Sequence, residues 1–295
     1  MTAVGLSIAG GAALLAIFGL DRLAARVASP PPRAIERTVP ELGMPHEDLR
    51  IPSGDHRLGA WLLSPDGGRR HEPLLLLAHG WSANYGTVLQ LGAPLVREGW
   101  EVLLFDVRGH GRNEPAPYVT IRQFRDDLMA VARYAARRFP ERPLVLIGHS
   151  MGGAAAVIAA ADGAPVDALV LIAAPADVLR VTAEYLRDHR LPGGLLMTVL
   201  RPFFWYRVGG SFRPLTPSRR IRELDLPIML IQPENDARVV GAHARQLAEA
   251  GGLDVHVVRG REHTDVLAAP ETLSMIEEFV QGLEMGAWNP PADTH

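Results

Sequence analysis

The chain has 295 residues, 47% of them hydrophobic, and a formal net charge of -3 at pH 7, which suffices for one large domain with a sizeable core. The slightly acidic balance offers no general attraction to polyanions, so nucleic acid is not an expected partner. With no cysteine in the chain, a disulfide framework, a thiolate metal site and a cysteine nucleophile are all excluded.

Residues Thr2 to Leu20 form an uncharged run rich in Gly, Ala, Leu and Ile, near the minimum of about 17 to 20 residues that a helix needs to cross a bilayer. A cleaved secretory signal is the competing reading. It lacks a basic residue before the apolar run, and Arg26 stands where a cleavage site at Ala28 wants a small side chain. An uncleaved transmembrane anchor over 1–21 is therefore expected. Arg22, Arg26, Arg33 and Arg37 all follow it, which predicts a membrane-anchored protein with its globular body on the cytoplasmic side. Residues 22–46, containing Ser29-Pro30-Pro31-Pro32, read as a stiff, extended linker. The body is expected over 47–285, followed by a tail at 286–295.

Two alternating segments, Leu49 to Ile51 and Leu58 to Leu63, flank Ser53-Gly54-Asp55-His56 and predict an antiparallel hairpin at a sheet edge. Six short apolar runs then follow: Leu74 to Ala78, Val102 to Phe105, Leu144 to Ile147, Ala168 to Ile172, Ile228 to Ile231 and Val255 to Val258. Runs apolar on both faces and separated by helix-length segments predict an α/β fold with a mostly parallel sheet covered by helices on both faces. The expected helices are Tyr85 to Glu98, Ile121 to Phe139, Ala154 to Ala161, Gly241 to Ala250 and Glu271 to Leu283.

In such a sheet chemistry gathers beyond the carboxyl ends of the strands. There the sequence places His79-Gly80-Trp81-Ser82, Asp106-Val107-Arg108-Gly109-His110-Gly111, Gly148-His149-Ser150-Met151-Gly152, the segment Gln232 to Asp236, and the segment Arg259 to His263. Gly148-x-Ser150-x-Gly152 between an apolar strand and a small-residue helix is the pattern of a sharp turn that exposes a serine Oγ in strained backbone. The same turn sets the N–H of Met151 at a helix start, where unpaired amides and the helix dipole favour an anion. Serine, acid and histidine in that chain order suit a nucleophile Ser150, a base His263 and an orienting carboxylate Asp236. The rivals are Glu234 for the acid and His256 for the base. His256 falls in a strand pattern and is read as packing, while His79, His110 and His149 sit inside turn motifs.

Taken together, His79-Gly80-Trp81, Asp106-x-Arg108-Gly109-His110-Gly111, Gly148-x-Ser150-x-Gly152-Gly153, Asp236-x-x-Val239 and His263 resemble the α/β-hydrolase superfamily over residues 47–283. The apolar N-terminus, the Pro-rich segment and the modest insert resemble its membrane-anchored lysophospholipase-like and acylglycerol-lipase-like members. The resemblance implies a catalytic triad Ser150, Asp236 and His263, an oxyanion hole from the N–H groups of Trp81 and Met151, and a small helical lid at about 176–222. His79 and the Asp106–Arg108 pair are implied to hold loops. That lid contains Leu195 to Tyr206, an apolar and aromatic stretch among many arginines. Leu196, Leu200, Phe203 and Phe204, with Trp81, are the expected acyl-binding residues, against the alternative that the stretch only covers the core. The implied activity is a serine hydrolase cleaving esters or thioesters of hydrophobic, lipid-like substrates, with the membrane as second partner and no cofactor or metal. A peptidase or amidase, a haloperoxidase-like enzyme, or a catalytically silent membrane-tethered binding protein are the alternatives. An aspartate would stand at position 150 in the superfamily's dehalogenases and epoxide hydrolases.

Overall fold

The computed structural model describes the backbone of residues 3–31 and 33–286, with side chains over 11–31 and 33–283. Eight strands form one sheet: β1 His46–Ser53, β2 His56–Leu63, β3 Leu74–Ala78, β4 Glu101–Phe105, β5 Leu144–His149, β6 Ala168–Ile172, β7 Ile228–Pro233 and β8 Val255–Val258. Their order is β1-β2-β4-β3-β5-β6-β7-β8. The hairpin β1–β2 pairs antiparallel, Ser53 facing His56 across its turn, and β2 is antiparallel to β4. All later pairings are parallel. The chain moves from β3 outward to β4 and then returns past β3 to β5, so the order of the strands reverses between β3 and β5. That is where an open α/β sheet forms its crevice.

The unbroken apolar runs are explained by a core on each face. Leu74, Leu76 and Ala78 pack with α3 Ile121–Arg138 and α4 Met151–Ala161, whereas Leu75 and Leu77 pack with α2 Tyr85–Arg97 and α9 Pro270–Gly286. Alternate side chains of one strand thus enter opposite layers, and both must be hydrophobic. α3 begins in a capping box between Thr120 and Gln123, which satisfies two amides that the helix start would otherwise leave unpaired. Helix α8 Gly241–Gly251 completes the layer on the α3–α4 side.

Three features differ from the expectations. α4 starts at Met151, not Ala154, because the glycines that weaken helix propensity are packed there against the sheet. A Cβ on Gly152 would stand 2.5 Å from the carbonyl oxygen of Ala78. Next, α1 Ala3–Val27 continues six residues past the expected end of the anchor. The following stretch lies along the body, with Asn84 Nδ2 donating to the carbonyls of Arg33 and Ala34, and Val39 fully buried. Among the described residues no helix is long and apolar enough to cross a membrane, so the expected transmembrane helix has no support there. The side chains of 1–10, half of that apolar run, and the tail from 287 onward lie outside the described residues. Finally, His256 is exposed on the edge strand β8 and does not pack into the core.

Between β6 and β7 the chain builds a helical cap from α5 Val178–Asp188, α6 Gly193–Arg207 and α7 Pro217–Arg220.

Candidate active site

Ser150 sits where β5 turns into α4, at φ 54° and ψ -122°, a region that non-glycine residues occupy only when their surroundings force it. The surroundings do. The Ser150 amide donates to Ile172 O at 2.8 Å and its carbonyl accepts from Ala154 N at 3.1 Å. Gly148 lies so close to the start of α4 that a Cβ there would stand 2.6 Å from the Cα of Gly153. On the other side of the crevice, Gly80 after β3 approaches the serine itself. A Cβ on Gly80 would lie 2.8 Å from Ser150 Cβ and 3.3 Å from Ser150 Oγ. The backbone that carries Trp81 therefore runs beside the hydroxyl, and Met151 supplies the first amide of α4.

The Gly80 loop is held by His79. Its Nε2 accepts from Val107 N at 3.0 Å and its Nδ1 lies 2.8 Å from Gly80 O, which fixes a neutral ring protonated on Nδ1. Burial, then the neighbouring His110, pushes the His79 pKa down to about 3, so its 3.9 Å approach to Asp106 Oδ1 is not an ion pair. Asp106 receives the amides of Tyr85 and Arg112 on its two oxygens, while burial raises its pKa to about 6. Arg108 pairs with the buried Asp127 at 2.5 Å and reaches Ser53 Oγ. These residues tie the β3, β4 and β1–β2 loops together, and the Trp81 ring joins them by stacking on Phe124 at 6.4 Å.

Asp236 and His263 meet from the loops after β7 and β8. His263 Nδ1 lies 2.8 Å from Asp236 Oδ2, and Asp236 Oδ1 accepts the amides of Arg238 and Val239 at 2.9 and 2.8 Å. Against a carboxylate the ring nitrogen must donate, so Nδ1 carries the proton and the neutral ring keeps its lone pair on Nε2. Both residues are buried. Glu234, the rival acid, is exposed and accepts from Gly260 N at 2.9 Å.

One link between these two halves was missed in the sequence. His149, the residue before the serine, has its Nε2 2.7 Å from the backbone carbonyl of His263, with the two rings 4.7 Å apart. A carbonyl can only accept, so Nε2 carries the proton. The ring is buried, and burial followed by the neighbouring His263 ring lowers its pKa to about 3. The motif Gly148-x-Ser150 gave no signal for this, because its second position is free in the pattern.

The cap places the expected acyl-binding residues against α1. Leu200 and Phe204 are buried and Leu196 and Phe203 half-buried in one cluster with Ala24 and Ala28. Arg207, at the end of α6, pairs with Asp21 Oδ1 at 2.8 Å and also donates to the Asp21 carbonyl. The cap is braced to α8 by the buried His243, which accepts from Ala176 N and binds Glu184 Oε2 at 2.8 Å. A separate polar cleft between the hairpin turn and α3, lined by Ser53, Arg108, Arg125 and Asp162 among others, includes none of the site residues.

A family model described as "Serine aminopeptidase, S33" matches residues 69–204, which takes in Ser150 and Gly80 but stops before Asp236 and His263. The rat monoglyceride lipase is 29% identical over 171 residues, 55% of this chain and 55% of that protein. A probable serine hydrolase of Drosophila melanogaster is 30% identical over 96 residues, 32% of this chain and 28% of that protein. The chain thus aligns with about half the length, or less, of these curated relatives. Among solved structures, an esterase of Pyrococcus furiosus superposes with a TM-score of 0.66 at 22% identity, covering 85% of this chain and 98% of that one, a likeness of fold. Sheet order and superposition give the chain an α/β-hydrolase fold, and part of its length is similar in sequence to that family model and to a monoglyceride lipase.

Proposed function

We propose that this protein is a serine hydrolase that cleaves carboxylic esters of hydrophobic, lipid-like acids through an acyl-enzyme on Ser150. One observation carries the reading. The Asp236–His263 pair is tied through His149 to the strained turn that presents Ser150.

In the proposed reaction Ser150 Oγ attacks the ester carbonyl as His263 Nε2 takes its proton. The oxyanion so formed is held by the N–H groups of Trp81 and Met151, each worth about 2.7 to 4 kcal/mol of transition-state stabilisation. Collapse breaks the carbon–oxygen bond to the leaving alcohol, which departs with the proton from Nε2. Water then attacks the acyl-enzyme, giving its proton to Nε2. The second collapse releases the acid and returns that proton to Ser150 Oγ. Asp236 stays ionised throughout, fixing the ring and stabilising the imidazolium. Thioesters would follow the same path.

The rat lipase and the archaeal esterase support the ester reading, whereas the family description points to a second one, an aminopeptidase acting on an amide. A panel of p-nitrophenyl esters of graded acyl length, run beside aminoacyl p-nitroanilides, decides between them. The proposal expects turnover of the esters, with a preference for longer chains, and little or none of the anilides. Turnover of the anilides alone contradicts it.

A further inference from the structure

We propose that α1 and the cap helix α6 together form one docking face for an anionic lipid surface, with α1 lying against the cap rather than crossing the bilayer. The C-terminal half of α1 is fastened to the cap. Ala24 and Ala28 are buried against Leu200 and Phe204, and the Asp21–Arg207 pair closes the contact. The outer sides of the two neighbouring helices remain apolar and uncovered. On α1, Leu14 is 69% exposed and Phe18 60%. On α6, Leu195 is 67%, Trp205 52% and Tyr206 78% exposed. Tryptophan and tyrosine are favoured where one end of the ring is dry and the other wet, as at a headgroup layer.

Charge selects the occupant. The α6 sequence holds Arg201 and Arg207 and no acid. In α1 the one acid, Asp21, is taken by Arg207, which leaves Arg22 and Arg26 exposed, Arg22 lying 5.7 Å over the Phe18 ring. A second copy docking through the same face by two-fold symmetry would bring arginine-bearing surface against arginine-bearing surface. An anionic headgroup layer complements it, and an apolar face flanked by arginines binds at the interface plane. The inference does not rest on Ser150 or on the proposed reaction.

The test is sedimentation of the full chain with vesicles of equimolar phosphatidylcholine and phosphatidylglycerol, with pure phosphatidylcholine as the neutral comparison. Two double variants are run beside it: Leu14→Ser with Phe18→Ser, and Trp205→Ser with Tyr206→Ser. All four side chains are exposed, and an unchanged thermal unfolding midpoint verifies that each variant keeps its fold. The proposal expects binding to the anionic vesicles and about tenfold weaker binding in each double variant. It also expects weaker binding as salt rises and release of bound protein by an alkaline carbonate wash. Wild-type binding by the Trp205/Tyr206 variant would make α1 a tether on its own and overturn the shared face. Retention through the carbonate wash would show a crossing helix and overturn surface docking. Equal binding to neutral vesicles would remove the role of the arginines. A dimer dissolved by these substitutions, in a chain that ignores vesicles, would assign the face to a second copy.

Discussion

His149 Nε2 lies 2.7 Å from the carbonyl oxygen of His263, so the residue next to the candidate nucleophile holds the backbone of the candidate base. His149 is thereby a positioning residue that would not touch substrate. His149→Ala should lower kcat by about 10- to 100-fold with little change in KM, since an ångström of misplacement at a catalytic group costs about that much. His149→Gln, whose amide N–H can reach the same carbonyl, should recover most of it. Steady-state kinetics on a soluble ester measure the split. An alanine variant with wild-type kcat would remove the role.

The acid assignment is decided by comparing two neighbours. Asp236→Asn keeps the shape but allows the wrong ring tautomer and cannot stabilise the imidazolium, so kcat should fall by about 10⁴-fold at neutral pH. Glu234→Gln, at an exposed side chain that binds only Gly260 N in the contacts described, should stay within a few-fold of wild type. A large loss in the second and a small one in the first would transfer the role to Glu234.

Three buried histidines make the fold sensitive to acid. Burial drives His79 and His149 down to about 3 and His110 to about 4, from an ordinary value of 6.5. Above pH 6.5 these rings are neutral in folded and unfolded chain alike. As pH falls below that, the unfolded chain takes up protons that the folded one refuses, so stability is lost from pH 6.5 down to about 3. Each ring costs about 2 kcal/mol at pH 5. Asp106 acts in the opposite sense. Its pKa is raised to about 6, so its contribution is present in acid and lost as pH rises through 6, offsetting about 1 kcal/mol at pH 5. Urea unfolding at pH 7 and pH 5 should therefore show a clearly less stable protein at pH 5. Equal stability at the two values would mean that the rings protonate in place.

The Asp21–Arg207 pair should matter more than a surface ion pair, because the Arg207 side chain is only 6% exposed. Removing the carboxylate in Asp21→Ala leaves a buried guanidinium short of a partner. It should cost about 1 to 3 kcal/mol, read as a fall in the thermal unfolding midpoint. No change would mean that the pair contributes nothing to holding α1 on the cap beyond the packing of Ala24 and Ala28.

Much of this architecture was legible because it is local. Leu74 to Ala78 and Ala168 to Ile172 announce strands buried on both faces by their length and uniform apolarity, and Gly148-x-Ser150-x-Gly152 announces the turn by the absence of side chains. What depended on a distant partner was not legible. The end of α1 lies in a stretch read as linker, since Ala24 and Ala28 acquire their meaning only from Leu200 and Phe204, some 180 residues later. Leu200 and Phe204 were legible as apolar, but their α1 partner was not. The helix start at Met151 was legible from the turn, but Gly152 and Gly153 argue against continuing a covering helix through them until the sheet beside them demands their small size. His149 carried no pattern at all, and its bond to the His263 carbonyl spans 114 residues.

The central claim is that Ser150 forms a covalent acyl-enzyme, and intact-protein mass spectrometry after treatment with a fluorophosphonate ester tests it most directly. The wild-type chain should gain the mass of one phosphonyl group at Ser150 and lose its ester turnover in parallel. Ser150→Ala, which removes the Oγ and adds no bulk, should keep its fold, gain no mass and show no turnover. Labelling at another residue, or full turnover in a folded Ser150→Ala protein, would contradict the account.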